Sequence, residues 1–182
     1  MIIGIVGEKL AGKDTAADYL AEKYGAVKFR FSLLLDEILS VLDLPISREN
    51  EIKLGLGLRE IFGPHALVDA LGSRVRKTSS GLIVVNGIRM DEMEVVRSWG
   101  AKIIYVTAPV EMRFERDLKR REKIDDGQND LESFRQGDLL PTEIDIPVLG
   151  ARADIKIENT GTLQEFYAKI GEAYKSFAVS HI

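Results

Sequence analysis

The chain has no cysteine and only two histidines, His65 and His181, among its 182 residues. Disulfides and thiolate metal centres are excluded, and a dedicated zinc site is not expected from so few ligands. A cysteine-free chain suits a reducing compartment, and a cytoplasmic location is expected. No Ser–His or His–carboxylate pattern points to acyl transfer. Long apolar runs are missing too. The first run, Met1–Val6, lacks a basic lead and passes straight into a glycine loop, so neither a signal peptide nor a membrane span is expected. A formal net charge of −4 gives no basic surplus for nucleic acid, so any anion site must be local. The base-reading Asn-Lys-x-Asp motif of a GTPase is absent, and Asp69-Ala70-Leu71-Gly72 lies in an expected helix. Repeats and low-complexity linkers are also lacking, and the length suits one domain over residues 1–182.

What is present is Gly7-Glu8-Lys9-Leu10-Ala11-Gly12-Lys13-Asp14-Thr15. It has the G-x-x-x-x-G-K spacing of a phosphate-binding loop, with Asp14 where Ser or Thr is usual. Such spacing arises by chance in roughly one chain of this length in twenty at average composition, so context must carry the identification. The loop follows the β-branched run Ile2–Val6 and precedes a stretch in which Ala16, Ala17, Leu20, Ala21 and Tyr24 share a helical face. A strand, a glycine turn and a helix N-terminus together direct backbone N–H groups at an anion. Gly7, Lys9, Ala11, Gly12, Lys13, Asp14 and Thr15 are the candidate nucleotide contacts, with Lys13 reaching the outer phosphates.

Strand and helix signals then alternate. Strands are expected at Ile2–Val6, Ala26–Phe31, Leu82–Asn86, Lys102–Thr107 and Asp154–Ile157. Ser32 is expected to cap Leu33–Leu42, Ser47 a helix over Glu49–Phe62, and Pro64 to open Pro64–Lys77. Asp91 and Glu94 read as a capping pair for a helix to Trp99, and Pro109 opens a charged helix to about Lys123. Asp125-Asp126-Gly127 reads as a loop, a polar helical stretch follows, Pro141 and Pro147 read as turns, and Thr162 caps a last helix to about Ala178. This alternation predicts an α/β fold, a five-stranded parallel sheet with helices on both faces. Ligand is then expected at the carboxyl edge of the strands.

These segments resemble small P-loop kinases of the nucleoside monophosphate kinase class and their relative dephospho-coenzyme A kinase. The resemblance rests on Gly7–Thr15, Leu58-Arg59-Glu60-Ile61-Phe62-Gly63-Pro64 and Val84-Val85-Asn86-Gly87-Ile88-Arg89, on Met112–Arg116 with Lys119-Arg120-Arg121, and on Ala153–Thr162. The Gly-Lys-Asp-Thr form of the loop is similar to that of phage-type deoxynucleoside monophosphate kinases. The resemblance implies a three-layer P-loop NTPase fold with a helical acceptor segment at about 33–77 and a small arginine-bearing lid at about 113–140. It implies ATP with Mg²⁺, a small-molecule phosphate acceptor, and a monomer or homodimer. It assigns Gly7, Gly12, Lys13 and Thr15 to the donor phosphates, and Asn159, Gly161 and Thr162 to the neighbourhood of the donor base. Arg59 and Arg89 fall on the acceptor side, and Arg116 and Arg120 on the lid.

The chemistry agrees with such a site. Phosphoryl transfer needs two anions held in line, water excluded and cations on a surface that closes. Arg113, Arg116, Lys119, Arg120, Arg121 and Lys123 supply cations, with Arg116 and Arg120 four apart on one face. Glu111, Glu115, Asp117 and Glu122 interleave them, so part of the cluster is expected to be plain surface. Two departures concern the metal: Asp14 replaces the usual hydroxyl, and Asn86 replaces the carboxylate that normally ends the third strand. They are expected to compensate, with Asp14 serving Mg²⁺. A third concerns the acceptor. Arg30-Phe31-Ser32 stands where the hydroxyl-phosphorylating relatives carry an Asp, and Asp36 comes one helical turn later. Ser32 and Asp36 are candidate acceptor contacts. An ionised monophosphate needs no base, so a (deoxy)nucleoside monophosphate is the expected acceptor. A ribose hydroxyl is the alternative, and a nucleotide-binding protein with a regulatory or weak ATPase role is the further one.

Overall fold

The computed structural model describes residues 1–120 and 130–179. In chain order it contains β1 (Ile2–Val6), α1 (Lys13–Tyr24), β2 (Val27–Arg30), α2 (Phe31–Val41), α3 (Arg48–Phe62), α4 (Ala66–Arg76) and β3 (Ile83–Asn86). Then come α5 (Met90–Ser98), β4 (Lys102–Thr107), α6 (Val110–Lys119), α7 (Leu131–Gly137), α8 (Ile146–Ala151), β5 (Ile155–Glu158) and α9 (Leu163–Val179).

All five expected strands pair in parallel, in the order β2-β3-β1-β4-β5. Alternation along each strand divides the core in two. Ile3, Ile5, Val84, Ile104 and Val106 pack with α1 and α9 on one face. Val6, Ile83, Val85, Ile103 and Tyr105 pack with α2, α4, α5 and α8 on the other. The neighbouring strands β1 and β3 thus send their helices, α1 and α5, to opposite faces. Their carboxyl ends form the crevice where such sheets take ligands. It holds the loop before Lys13 and the segment Asn86–Arg89. Among the described residues no helix is long and apolar enough to cross a membrane.

Several local expectations are corrected. Ser32 does not cap α2: the helix already starts at the buried Phe31, with Arg30 in the extended N-cap position. Burial of Phe31 against the sheet outweighs the capping preference of a serine one residue later. Pro64 does not open α4, because Gly63, with φ of 96°, and Pro64-His65 form a turn and the helix begins at Ala66. The reciprocal bond at the start of α5 joins the Glu92 carboxylate to the Arg89 N–H at 2.6 Å, not Asp91 to Glu94. Pro147 lies in the first turn of α8, where no N–H is required of it. β2 and β5 differ from the expected spans by one residue at both ends and β3 by one residue at its start, and α6 ends at Lys119. Arg121, Lys123, the Asp125-Asp126-Gly127 loop and His181 lie outside the described residues.

Candidate functional site

Two glycines make the loop possible. A Cβ on Gly7 would lie 2.1 Å from the Val106 carbonyl oxygen of β4, and Gly12, the N-cap of α1, has φ of 114°. Leu10 also takes a left-handed conformation, with φ of 62°. The remaining loop residues are tied to the body. Glu8 accepts hydrogen bonds from the Tyr105 hydroxyl and, at 3.3 Å, from Thr107 Oγ1. Burial and this bond to Glu8 push Tyr105 up to about 12. Asn159 Nδ2 donates to the Ala11 carbonyl at 2.8 Å. Arg116 donates to the carbonyls of Leu10 (3.0 Å), Ala11 (3.3 Å) and Asn159 (2.9 Å), closing a clamp between the loop and the end of β5.

Lys13 folds back, its Nζ donating to the Glu8 carbonyl at 2.7 Å. Burial first, then Arg89, lower it to about 8, against the raising influence of Glu143 and Asp14. Lys9 Nζ lies 2.7 Å from Oδ1 of the buried Asp117 and over the Phe134 ring, so this cation is engaged within the fold. Arg113 is also structural: it is buried, forks onto Asp138 at 3.0 and 2.6 Å, and donates to the carbonyls of Ala108 and Lys9. The part of the expected lid that begins at Arg113 is therefore packed into the body.

Two cavities meet at the loop. Gly12, Lys13, Asp14, Thr15, Arg116, Lys119, Arg120, Asn159 and Gly161 line the first. The second lies between the loop and α2–α3 and is walled by Phe31, Leu35, Ile52 and Leu67 with a group of cations. Ser32, Arg59 and Arg89 line it, and so do Arg30 and Arg48. Leu10, Lys13, Asp14 and Arg120 belong to both cavities.

Carboxylates hold the cations of this second cavity. Arg48 Nη2 and Arg89 Nη2 donate to the same oxygen, Oε1 of Glu143, at 2.6 and 2.8 Å. Burial opposes ionisation of Glu143, but Arg89, Arg48 and Lys13 together hold its carboxyl below the usual range. Arg59 pairs with the buried Glu92 and donates to the Gly55 carbonyl at 3.0 Å. Arg30 lies 3.5 Å from Asp14 and 3.9 Å from Asp36. Asp36 lines none of these cavities, and neither does Thr162, which shares a cap with Glu165 at the start of α9. Gly7 and Ala11 shape the loop from beneath.

Asn86 Nδ2 donates to Asp14 Oδ1 at 2.7 Å. Asn86 Oδ1 is buried and, among the described residues, has no hydrogen-bond partner. A carboxylate and a spare amide oxygen at the junction of the cavities are hard donors that fit Mg²⁺, which takes few protein ligands and keeps its waters. Among the described residues no cluster of three or more acidic or imidazole ligands offers an alternative.

Arg30, Arg48 and Glu143 are the residues that sequence reasoning passed over. Arg30 ends a strand at the ligand edge, and Arg48 puts a cation in the first turn of α3, against the helix dipole. Both were readable signals. Glu143 has no local signature.

No family model matches the chain. It is similar over its whole length to curated relatives that carry only a family designation. It is 28% identical over 184 residues to a UPF0200 protein of Methanosarcina acetivorans, covering 99% of this chain and 97% of the relative. It is 30% identical to a UPF0200/UPF0201 protein of Archaeoglobus fulgidus, of which it spans about half, 53%. Among solved structures it is similar to a shikimate kinase from Acinetobacter baumannii in complex with shikimate. The TM-score is 0.62 at 20% identity, covering 96% of this chain and 93% of that one. That likeness shows the fold alone, a five-stranded parallel sheet with helices on both faces.

Proposed function

We propose that the chain is an ATP-dependent small-molecule kinase that transfers the γ-phosphoryl group to a (deoxy)nucleoside monophosphate. The observation that carries this reading is the meeting of two cavities at Lys13, Asp14 and Arg120. A triphosphate in the first and an anion in the second would face each other across these residues. The fold shared with a shikimate kinase supports phosphoryl transfer to a small molecule.

In this reading Gly12, Lys13 and Thr15 bind the donor phosphates at the start of α1, and Lys13 exchanges the Glu8 carbonyl for phosphate oxygens. Arg116 and Asn159 hold the loop in shape. Arg48 and Arg89 take the acceptor phosphate, with Arg59 behind them. An oxygen of that phosphate attacks the γ-phosphorus as the bond to the β–γ bridging oxygen breaks, and ADP leaves. The attacking oxygen is already ionised, so no residue has to remove a proton from it. Lys13 and Arg120 are placed to offset charge on the group in flight. Asp14 and Asn86 Oδ1 would hold Mg²⁺, which neutralises charge on the β- and γ-oxygens when bound.

A hydroxyl acceptor, as in dephospho-coenzyme A kinase, would need a base at the hydroxyl. Asp36 faces Arg30 and lies off the cavity wall, which favours the monophosphate. The test is acceptor-dependent ADP release over a panel of nucleoside and deoxynucleoside monophosphates with dephospho-coenzyme A. Release with at least one monophosphate, abolished in a folded Lys13→Ala variant, is expected. No release with any acceptor would sink the kinase reading and leave a nucleotide-binding protein, and release with dephospho-coenzyme A alone would move the acceptor to the hydroxyl class.

A further inference from the structure

We propose that Glu143 is the positioning residue of the acceptor side: its buried carboxylate binds Arg48 and Arg89 to one point and so presents both guanidinium groups to the cavity beside Lys13. The two arginines come from distant places. Arg48 opens α3, and Arg89 precedes α5 at the end of β3. Both are long side chains with much rotamer freedom, and two like charges close together repel. Something has to bring them into one wall.

Glu143 is equipped to do this. It is 5% exposed, whereas the side chains of Arg48 and Arg89 are 29% and 23% exposed, so the carboxylate is the fixed member of the trio. Its backbone is secured on both sides, its N–H donating to Leu140 O at 2.8 Å and its carbonyl accepting from Ile146 N at 2.9 Å. Ile146 and Leu149 anchor the following α8 in the core. One oxygen, Oε1, serves both arginines. Nη1 of Arg89 is left buried and, among the described residues, without a hydrogen-bond partner. A charged N–H in that condition is costly unless a ligand completes it. Glu143 therefore holds Arg89 by one arm while Arg89 forms part of the cavity wall. A carboxylate merely occupying the anion's place until the acceptor arrives would have to move away on binding. The burial and backbone anchoring of Glu143 argue against such a move.

The kinetic part of this inference rests on the kinase reading, so the experiment has two independent arms. The first is steady-state kinetics of wild type, Glu143→Gln and Glu143→Asp at pH 6.5, with a monophosphate that the wild type phosphorylates. Glu143→Gln keeps the size but loses the charge, and is expected to raise the acceptor KM about tenfold while kcat changes by less than about threefold. Glu143→Asp keeps the charge on a shorter arm and is expected to fall between the two. An acceptor KM in Glu143→Gln equal to or below wild type overturns the proposal, the lower value being the mark of a place-holding carboxylate. Should Glu143→Gln not fold, Glu143→Asp decides, and a wild-type acceptor KM in it overturns the proposal.

The second arm needs no acceptor. Guanidinium N–H resonances of Arg48 and Arg89, assigned by Arg→Lys substitution, are expected to be slowed by the shared bond in wild type and to move to free-arginine behaviour in Glu143→Gln. If the wild type turns over no acceptor, the kinase reading fails and this measurement alone judges Glu143. Resonances unchanged in Glu143→Gln would overturn the positioning role.

Discussion

Replacing Lys9 by Met separates two readings of the glycine loop. By its place in the loop Lys9 is a candidate nucleotide contact, but in the fold it is the ion-pair partner of Asp117. The Asp117 carboxylate is 0% exposed, Lys9 Nζ lies 2.7 Å from its Oδ1, and the Lys9 side chain is 16% exposed. Neither Asp117 oxygen meets hydrogen-bond geometry with another described residue, so removing the lysine leaves a buried carboxylate with little to solvate it. Breaking a buried pair from one side costs about 3–5 kcal/mol. Water entering at the partly exposed Lys9 position places the loss near the lower end, at about 3 kcal/mol. For 182 residues the unfolding entropy is about 0.4 kcal/mol/K, so the thermal midpoint should fall by about 8 °C. Thermal and urea unfolding at pH 7 check the number, with ADP titration by calorimetry alongside. A Lys9→Met/Asp117→Leu variant should regain most of the deficit. An unchanged midpoint with a large loss of ADP affinity would refute the reasoning and return Lys9 to the phosphates.

Other outcomes follow from the same geometry. Lys13 is lowered to about 8 in the folded protein from 10.5, chiefly by burial. The unfolded chain therefore binds the extra proton between those values, and the unliganded protein should gain stability as pH rises from about 8 to about 10.5. Phosphate favours the charged lysine, so ADP binding should take up about half a proton at pH 8 and almost none at pH 6.5, as read by calorimetry in buffers of different ionisation enthalpy. Binding without proton uptake at pH 8 would contradict this. Arg116→Ala removes the guanidinium donor from the carbonyls of Leu10 and Asn159 and leaves the Ala11 carbonyl to Asn159 Nδ2 alone. It should raise the ATP KM more than it lowers kcat, and a fall in kcat alone would give Arg116 a transition-state role instead. Asp14→Asn should weaken the Mg²⁺ dependence of ADP binding about tenfold while ADP alone binds as before, and equal Mg²⁺ dependence would remove Asp14 from the metal shell.

Much of this was legible locally. β1, the glycine loop and α1 are contiguous, and Gly7 and Gly12 answer backbone demands that no other residue meets easily. The four-residue spacing of Arg116 and Arg120 placed them on one face, and both line the cavity beside Gly12 and Thr15. The same spacing rule could not tell that Arg113 and Asp117, in the same charge run, turn into the protein. Both kinds of charge look alike until Asp138 and Lys9 arrive from other segments. Ser32 failed as a cap because Phe31 found a place in the core, and core burial outweighs a capping preference. Asp14 and Asn86, the two departures from the usual loop and strand end, lie in hydrogen-bond contact.

The sequence by itself determined the layered α/β fold and the location of the glycine loop between β1 and α1. Those depend on alternation, short-range periodicity and glycine conformations, all encoded within a few residues. Tertiary structure alone decided which cations are available to a ligand. A lysine in the loop became a structural partner of Asp117, and Arg48 and Arg89 became a pair only because Glu143 is folded against them. Charge is written in the chain, but whether a charge is spent on the protein or left for a substrate depends on what burial brings beside it.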